Sequence, residues 1–332
     1  MKKLLAIGSM IIFSFGFRYI GSQRNDPAEI KQAVQKSITL LENSSHVFVK
    51  NAACYSCHGQ CMGAISFSMA RDKGIITRDS ILTEAQQIIL DAWEGRRLHM
   101  VEYDEMIAND ISYGYSLWGL YASHVAANKL TTLMVNQVLE RQNSKGYWAG
   151  GNGRPPLEYY SISATAMAIY AMNVYAPPGF HDRVAQAKEK AKEWLLSAAV
   201  INNEEKAFQL LGLKWTGADP GIIKKQAAVL IAQQQPGGGW SQLELLPADA
   251  YATGQALYAL NQSGALPATD EAYQKGISFL LNTQQPDGSW HVKTRSFPVV
   301  PFVDSGFPYE KDQFISAAGT NWAAMALLLA IK

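Results

Sequence analysis

Five residues carry the densest chemistry in the chain: Cys54-Tyr55-Ser56-Cys57-His58. Two thiolates at this spacing can add to the two vinyl groups of a haem, while the histidine that follows ligates the iron from one face. Cys54 and Cys57 would then be the thioether links of a haem c, and His58 its proximal metal ligand. Cys61 extends the set to positions i, i+3, i+4 and i+7, which share one face of a helix. Three other readings compete. Three Cys and a His could hold zinc, although one straight helix does not easily surround an ion tetrahedrally. Cys54 and Cys57 could form a redox pair or a structural disulfide, or the thiols could be buried packing residues. No distal ligand can be assigned among His46, His99, His124, His181, His291 and the methionines.

The N-terminus supports the haem reading. Met1-Lys2-Lys3 followed by the apolar run Leu4 to Phe17 has the form of a secretory signal and is short for a membrane span. Haem c is attached after export, so motif and signal agree. Residues 1–22 are set apart as this segment, and 23–332 are expected to form a single domain. The expected location is the periplasm, with membrane association through an uncleaved N-terminal segment as the alternative. The chain has 29 Lys and Arg against 28 Asp and Glu, a net charge of +1, and no basic stripe, which argues against nucleic acid as a partner.

The elements that must position the motif are helices. Apolar residues recur at helical spacing in six pairs: 26–41 with 54–73, 81–93 with 111–127, 130–142 with 159–174, 182–200 with 204–213, 221–234 with 249–263, and 269–284 with 314–331. The first member of each pair carries charge on one side. The second is nearly free of charge and rich in small residues, as in ISATAMAIYAMNVYA and ISAAGTNWAAMALLLA. A helix apolar all round is buried all round. Six amphipathic helices around six buried ones predict an all-α fold, a closed ring of six helical hairpins.

A repeat sharpens this. Gln284, Pro286, Gly288 and Trp290 stand where Gln234, Pro236, Gly238 and Trp240 stand, and Gln142, Gly146 and Trp148 keep the same offsets. A period of about 45–50 residues marks a repeat architecture. These Gln–Gly–Trp turns resemble the QW motifs of terpenoid cyclases, squalene-hopene cyclases in particular, across about residues 25–332. The resemblance implies an (α/α)6 toroid, as in the protein prenyltransferases, with a central apolar cavity. Cys54–His58 resembles the c-type cytochromes over those five residues only.

Cyclases of the hopene type protonate an alkene with an Asp-x-Asp-Asp cluster, because that task needs a carboxylic acid strengthened by a neighbour. At the matching place this chain keeps only Asp249, read first as a helix N-cap and second as lining the mouth. The loop from His291 to Gln313 is long. Its Phe297, Phe302, Phe307 and Tyr309 are expected to pack as a lid over the mouth, with Asp304, Glu310 and Asp312 supplying carboxylates.

The reading as a whole is an exported toroid with haem c at the mouth of an apolar cavity, acting on or sensing an apolar, isoprenoid-like ligand and exchanging electrons with a periplasmic partner. Asp249 and Asp312 are the candidate catalytic acids, and Tyr159, Tyr160, Tyr251, Trp322 and Asp304 the candidate pocket residues. Two alternatives stand beside it: a haem-free toroid that binds a lipid or partner, and a cyclase with a non-standard acid centred on Asp249.

Overall fold

The computed structural model describes residues 25–52, 55–102, 110–151, 154–297 and 302–331. The N-terminal segment and Cys54 lie outside the described residues. Six hairpins follow in chain order. The first is α1 (Pro27–Asn51) with a π-helical turn (Cys57–Cys61) that runs into α2 (Met62–Asp72). The second is α3 (Asp79–Glu94), a short α4 (Arg97–Glu102) and α5 (Asp110–Ala122). Then come α6 (Lys129–Glu140) with α7 (Ser161–Tyr175), and α8 (His181–Ser197) with α9 (Asn203–Thr216). The last two are α10 (Pro220–Ile231) with α11 (Ala250–Gln262), and α12 (Glu271–Thr283) with α13 (Gln313–Ala330).

The starts obey capping chemistry. Asp26 opens α1 by accepting from the Ala28 N–H, with proline at the first turn. Asn128 with Thr131, and Asn202 with Glu205, form reciprocal capping boxes at α6 and α9. The spacing predicts an end to α1 near Leu41, yet the helix runs on to Asn51. The polar stretch Glu42 to Ser45 reads as a turn, but its side chains find buried partners. Glu42 accepts from Arg78, and Ser44 donates to the Ser305 carbonyl.

The charge-poor helices form the inner ring. α2, α5, α7, α9, α11 and α13 pack each on the next, and α13 packs back on α2 to close it. Close approach requires small residues. A methyl on Gly119 of α5 would lie 2.8 Å from the Cys61 carbonyl oxygen. The outer helices cover the seams, with α1 resting on both α13 and α2. The 310–330 segment is long and apolar enough to cross a membrane, but it is 89% buried as the last inner helix.

The repeated turns tie the outer helices together. At the end of α6, α10 and α12 the Gln142, Gln234 and Gln284 amides donate to their own turn's glycine carbonyl and to a carbonyl on the next outer helix, at Ala187, Ala272 and Ala33. The last of these bonds α12 to α1. The indole N–H of Trp148, Trp240 and Trp290 donates back to Val138, Leu230 and Leu280, a carbonyl in the last turn of the helix just completed. Gly146, Gly238 and Gly288 sit at φ +91°, +90° and +93° against the next outer helix, where a side chain is both strained and crowded.

The middle of the ring is filled. Trp118 of α5 meets Tyr170 of α7, Trp215 of α9, Tyr258 of α11 and Trp322 of α13, with ring centroids 5.4–6.0 Å apart. One side chain touching four other inner helices must lie on the axis. The central apolar cavity that the resemblance implies is therefore closed at this level by interlocked aromatic rings.

Candidate functional site

All inner helices start at one rim, and the candidate residues gather there. Ser56 opens the first inner helix by accepting from the His58 and Gly59 N–H groups. The π-turn that follows sets Cys57 and Cys61 against α5, where their thiols lie 3.8 Å from the Ser112 and 3.7 Å from the Ser116 hydroxyl. Both thiols are buried. The Cys61 thiol and burial push the Cys57 thiol well up, so it stays protonated.

His58 is 6% exposed and packs its ring edge against Tyr115 at 5.1 Å. Its Nδ1 lies 3.6 Å from Glu158, which is itself held by Arg154 at 2.8 Å. Its Nε2 is buried and has no hydrogen-bond partner. Burial lowers the imidazole to about 4, against the pull of Glu158, so it is neutral at ordinary pH. A neutral imidazole with one open nitrogen and a carboxylate behind the other is the donor an iron centre requires. The donor chemistry of Cys57 and His58 suits a haem c, but both side chains are buried against α5, so a porphyrin would have to displace packed neighbours at this turn. Among the described residues no three His, Cys, Asp or Glu side chains converge on one point; Cys54, which the zinc reading also needs, lies outside them.

Across the rim lies a cluster built on Glu204, which its place at the start of an inner helix already sets at the shared mouth. Glu204, at the start of α9, is 4% exposed and accepts from the Ser163 hydroxyl at 2.7 Å and the Tyr251 hydroxyl at 2.8 Å. Burial raises it to about 7 in spite of those bonds and of Arg295. Beside it Gln255 is 2% exposed and hydrogen-bonded to Glu204 and Tyr251, and Asn203 keeps an unpaired Oδ1. Asp249 caps α11 by accepting from Ala252 and also accepts from the Gln242 amide. Burial raises it to about 6.

The 291–313 loop does reach across this mouth, but it brings a cation. Arg295 donates to Gln242 at 2.8 Å and to the Tyr160 hydroxyl at 3.4 Å. Of the loop aromatics, Phe307 is buried and Tyr309 stacks on His291 at 4.3 Å, while Phe297 and Phe302 are exposed. Asp312 is held by His291 and the Thr294 N–H.

Several expected pocket residues stand elsewhere. Asp304 is exposed, bonded to the Gly306 N–H and, through its carbonyl, to Asn51. The loop turns there against the end of α1, at the outer edge of the rim. Neither Asp304 nor Asp312 is among the hydrogen-bond partners of Asp249, so the two-acid arrangement does not form. Trp322 belongs to the axial aromatic plug rather than to the mouth, because it lies two and a half turns down α13. Tyr159 is 44% exposed and packs on Tyr160 at the outer lip. Tyr251 and Tyr160 remain at the mouth. The sequence places Glu204 at the mouth, as a residue opening a charge-poor inner helix, and the structure adds that it is buried rather than solvent-exposed.

No family model matches the sequence, and no curated protein is found similar to it. Solved structures are. The apo type II terpene cyclase MstE from Scytonema superposes with a TM-score of 0.58 at 14% identity, over 92% of this chain and 99% of that one. This chain has the terpene-cyclase toroid fold. An unsaturated glucuronyl hydrolase mutant from Streptococcus agalactiae gives 0.59 at 11% identity, over 100% and 98% of the two chains. An ent-copalyl diphosphate synthase from Streptomyces platensis gives 0.51 at 15%, over 80% of this chain and 50% of that one. At these identities the likeness is one of fold, and the toroid's chemistry has to be argued from its own residues.

Proposed function

We propose that the protein is an exported toroid carrying a covalently attached haem c at the mouth of its ring, for redox chemistry or sensing on an apolar ligand. The observation that carries this is the buried, unpartnered Nε2 of His58 within a C-x-x-C-H sequence at the start of the first inner helix. Haem c supplies a one-electron centre when bound. Cys54 and Cys57 would anchor it and His58 would ligate it, with the Glu158 carboxylate 3.6 Å from Nδ1 on the other side of the ring. Tyr115, packed on His58, would shield that side of the site from water. Exposed Leu245, Ile201, Phe297 and Phe302, all on segments that lead into inner helices, offer an apolar ligand a surface on arrival. A periplasmic redox partner completes the reading.

Terpene cyclisation is less favoured. Protonating an alkene needs an unusually strong acid, and burial makes both Glu204 and Asp249 weaker acids than usual. The decisive experiment is expression with a haem c maturation system, followed by a pyridine haemochrome spectrum and intact mass. The expected result is a red protein heavier by one haem, with the double variant Cys54→Ala, Cys57→Ala losing the covalent addition. A colourless chain at its bare mass refutes the haem.

A further inference from the structure

The seam between the third and fourth hairpins is built differently from its counterpart two hairpins on. Gly146 packs on Lys190 of α8 as Gly238 packs on Lys275 of α12, so Tyr147 and Trp194 stand where Gly239 meets Phe279. The Tyr147 and Trp194 rings stack with centroids 4.6 Å apart. Beyond Trp194 the usual long turn is absent. Only Ala198 to Asn202 join α8 to α9, where Ala232 to Asp249 join α10 to α11. The short link leaves a groove of about 630 Å³ at the outer lip of the mouth.

Two aromatic pairs wall this groove. One is Tyr147 with Trp194; the other is Tyr159 with Tyr160, whose rings meet edge to face at 5.0 Å. Glu205 is the single charged side chain among the described lining residues, with no Lys, Arg or His beside it. The Ile201 and Asn202 N–H groups and the Asn202 amide all donate to Oε2 of Glu205, leaving Oε1 outside the capping box. The neighbouring cations have partners of their own. Lys206 donates to the Ile201 carbonyl, and Arg295 donates to Gln242 and to the hydroxyl end of Tyr160.

We propose that the groove binds a quaternary ammonium cation. Aromatic faces carry negative charge density and attract such a cation, and a carboxylate at the edge adds to the pull. The methylated nitrogen has no N–H to satisfy, so ring faces serve it well. A primary ammonium brings three donors that need oxygen acceptors, and a wall of rings supplies few. An anion meets like charge at Glu205. The same trimethylammonium group occurs on free choline and on the headgroup of phosphatidylcholine, and both could reach a groove that opens at the lip.

This inference rests on neither the haem nor the apolar ligand of the proposed function. The test is calorimetric titration of the purified chain with choline and with 3,3-dimethylbutan-1-ol, which has the same shape and no charge. Choline should bind at least about tenfold tighter than the alcohol. Glu205→Gln keeps a capping-box residue and should weaken choline about tenfold while leaving the alcohol unchanged. Tyr159 is 44% exposed, so Tyr159→Leu spares the fold, which circular dichroism checks, and should also weaken choline. Co-sedimentation with phosphatidylcholine vesicles, competed by choline, makes a lipid headgroup the source; choline binding without it makes the source a free cation. No binding of choline, equal binding of the alcohol, or unchanged affinity in both variants would each overturn the site. A colourless chain that binds choline removes only the haem; a red chain that does not bind it removes only this groove.

Discussion

Gly288→Ala is the sharpest test of how the ring is closed. Gly288 has φ +93°, and a methyl there would lie 2.6 Å from the Lys36 carbonyl carbon and 2.8 Å from its oxygen. Those atoms are backbone of α1, held in a helical ladder, and cannot step aside as a side chain could. The left-handed conformation costs an L-residue roughly 1–2 kcal/mol, and forced overpacking about 1–3 kcal/mol. The sum is about 2–5 kcal/mol, which for a large domain lowers Tm by on the order of 10 °C. Gly237→Ala is the matched control: it has open space around its position and should stay within about 0.5 kcal/mol of wild type. Thermal unfolding followed by far-ultraviolet circular dichroism reads both. If Gly288→Ala melts with the control, the contact between the last outer turn and the first helix does not hold the ring shut.

Other outcomes follow from the same geometry. Trp118→Ala, which removes the ring that meets four other inner helices, should cost about 3–5 kcal/mol in urea unfolding; a loss under 1 kcal/mol would mean the axis is not packed as described. Stability should fall as pH rises toward neutrality. Glu204 goes from an ordinary 4.5 to about 7 on folding, so the folded state holds the proton longer, and its contribution is full below pH 4.5 and lost as pH passes 7. At 1.36 kcal/mol per unit the ceiling is roughly 3 kcal/mol. Asp249, raised to about 6, acts with the same sign at lower pH. Glu204→Gln should flatten the upper part of that profile, and an unchanged profile would show that Glu204 is not the group responsible. In a haem-loaded chain, His58→Ala should keep the added mass while shifting the Soret band; an unmoved band would mean His58 does not ligate the iron.

Much of the fold was legible because ring position leaves a mark on composition. The inner helices must be apolar on every side, so sequences such as ISAAGTNWAAMALLLA in α13 announced their place. The turns were legible through Gln, Gly and Trp at fixed offsets. What escaped was whatever depends on partners far along the chain. The end of α1 was missed because Glu42 and Ser44 look like turn residues until Arg78 and the Ser305 carbonyl stand beside them. Asp249 was legible as a cap, since capping is local. The pairing of Glu204 with Ser163 and Tyr251, 41 and 47 residues away, was not. Nor was the identity of the loop's contribution: its three acids drew notice, while Arg295 is the side chain that reaches the mouth.

The aromatic knot on the axis turns a doughnut into a cup. A molecule that settles at the rim has no back door, because Trp118 and the rings around it bar passage to the far face. Arrival and departure then share one gate. A ligand bound there as proposed would have to leave by the way it came before another could land.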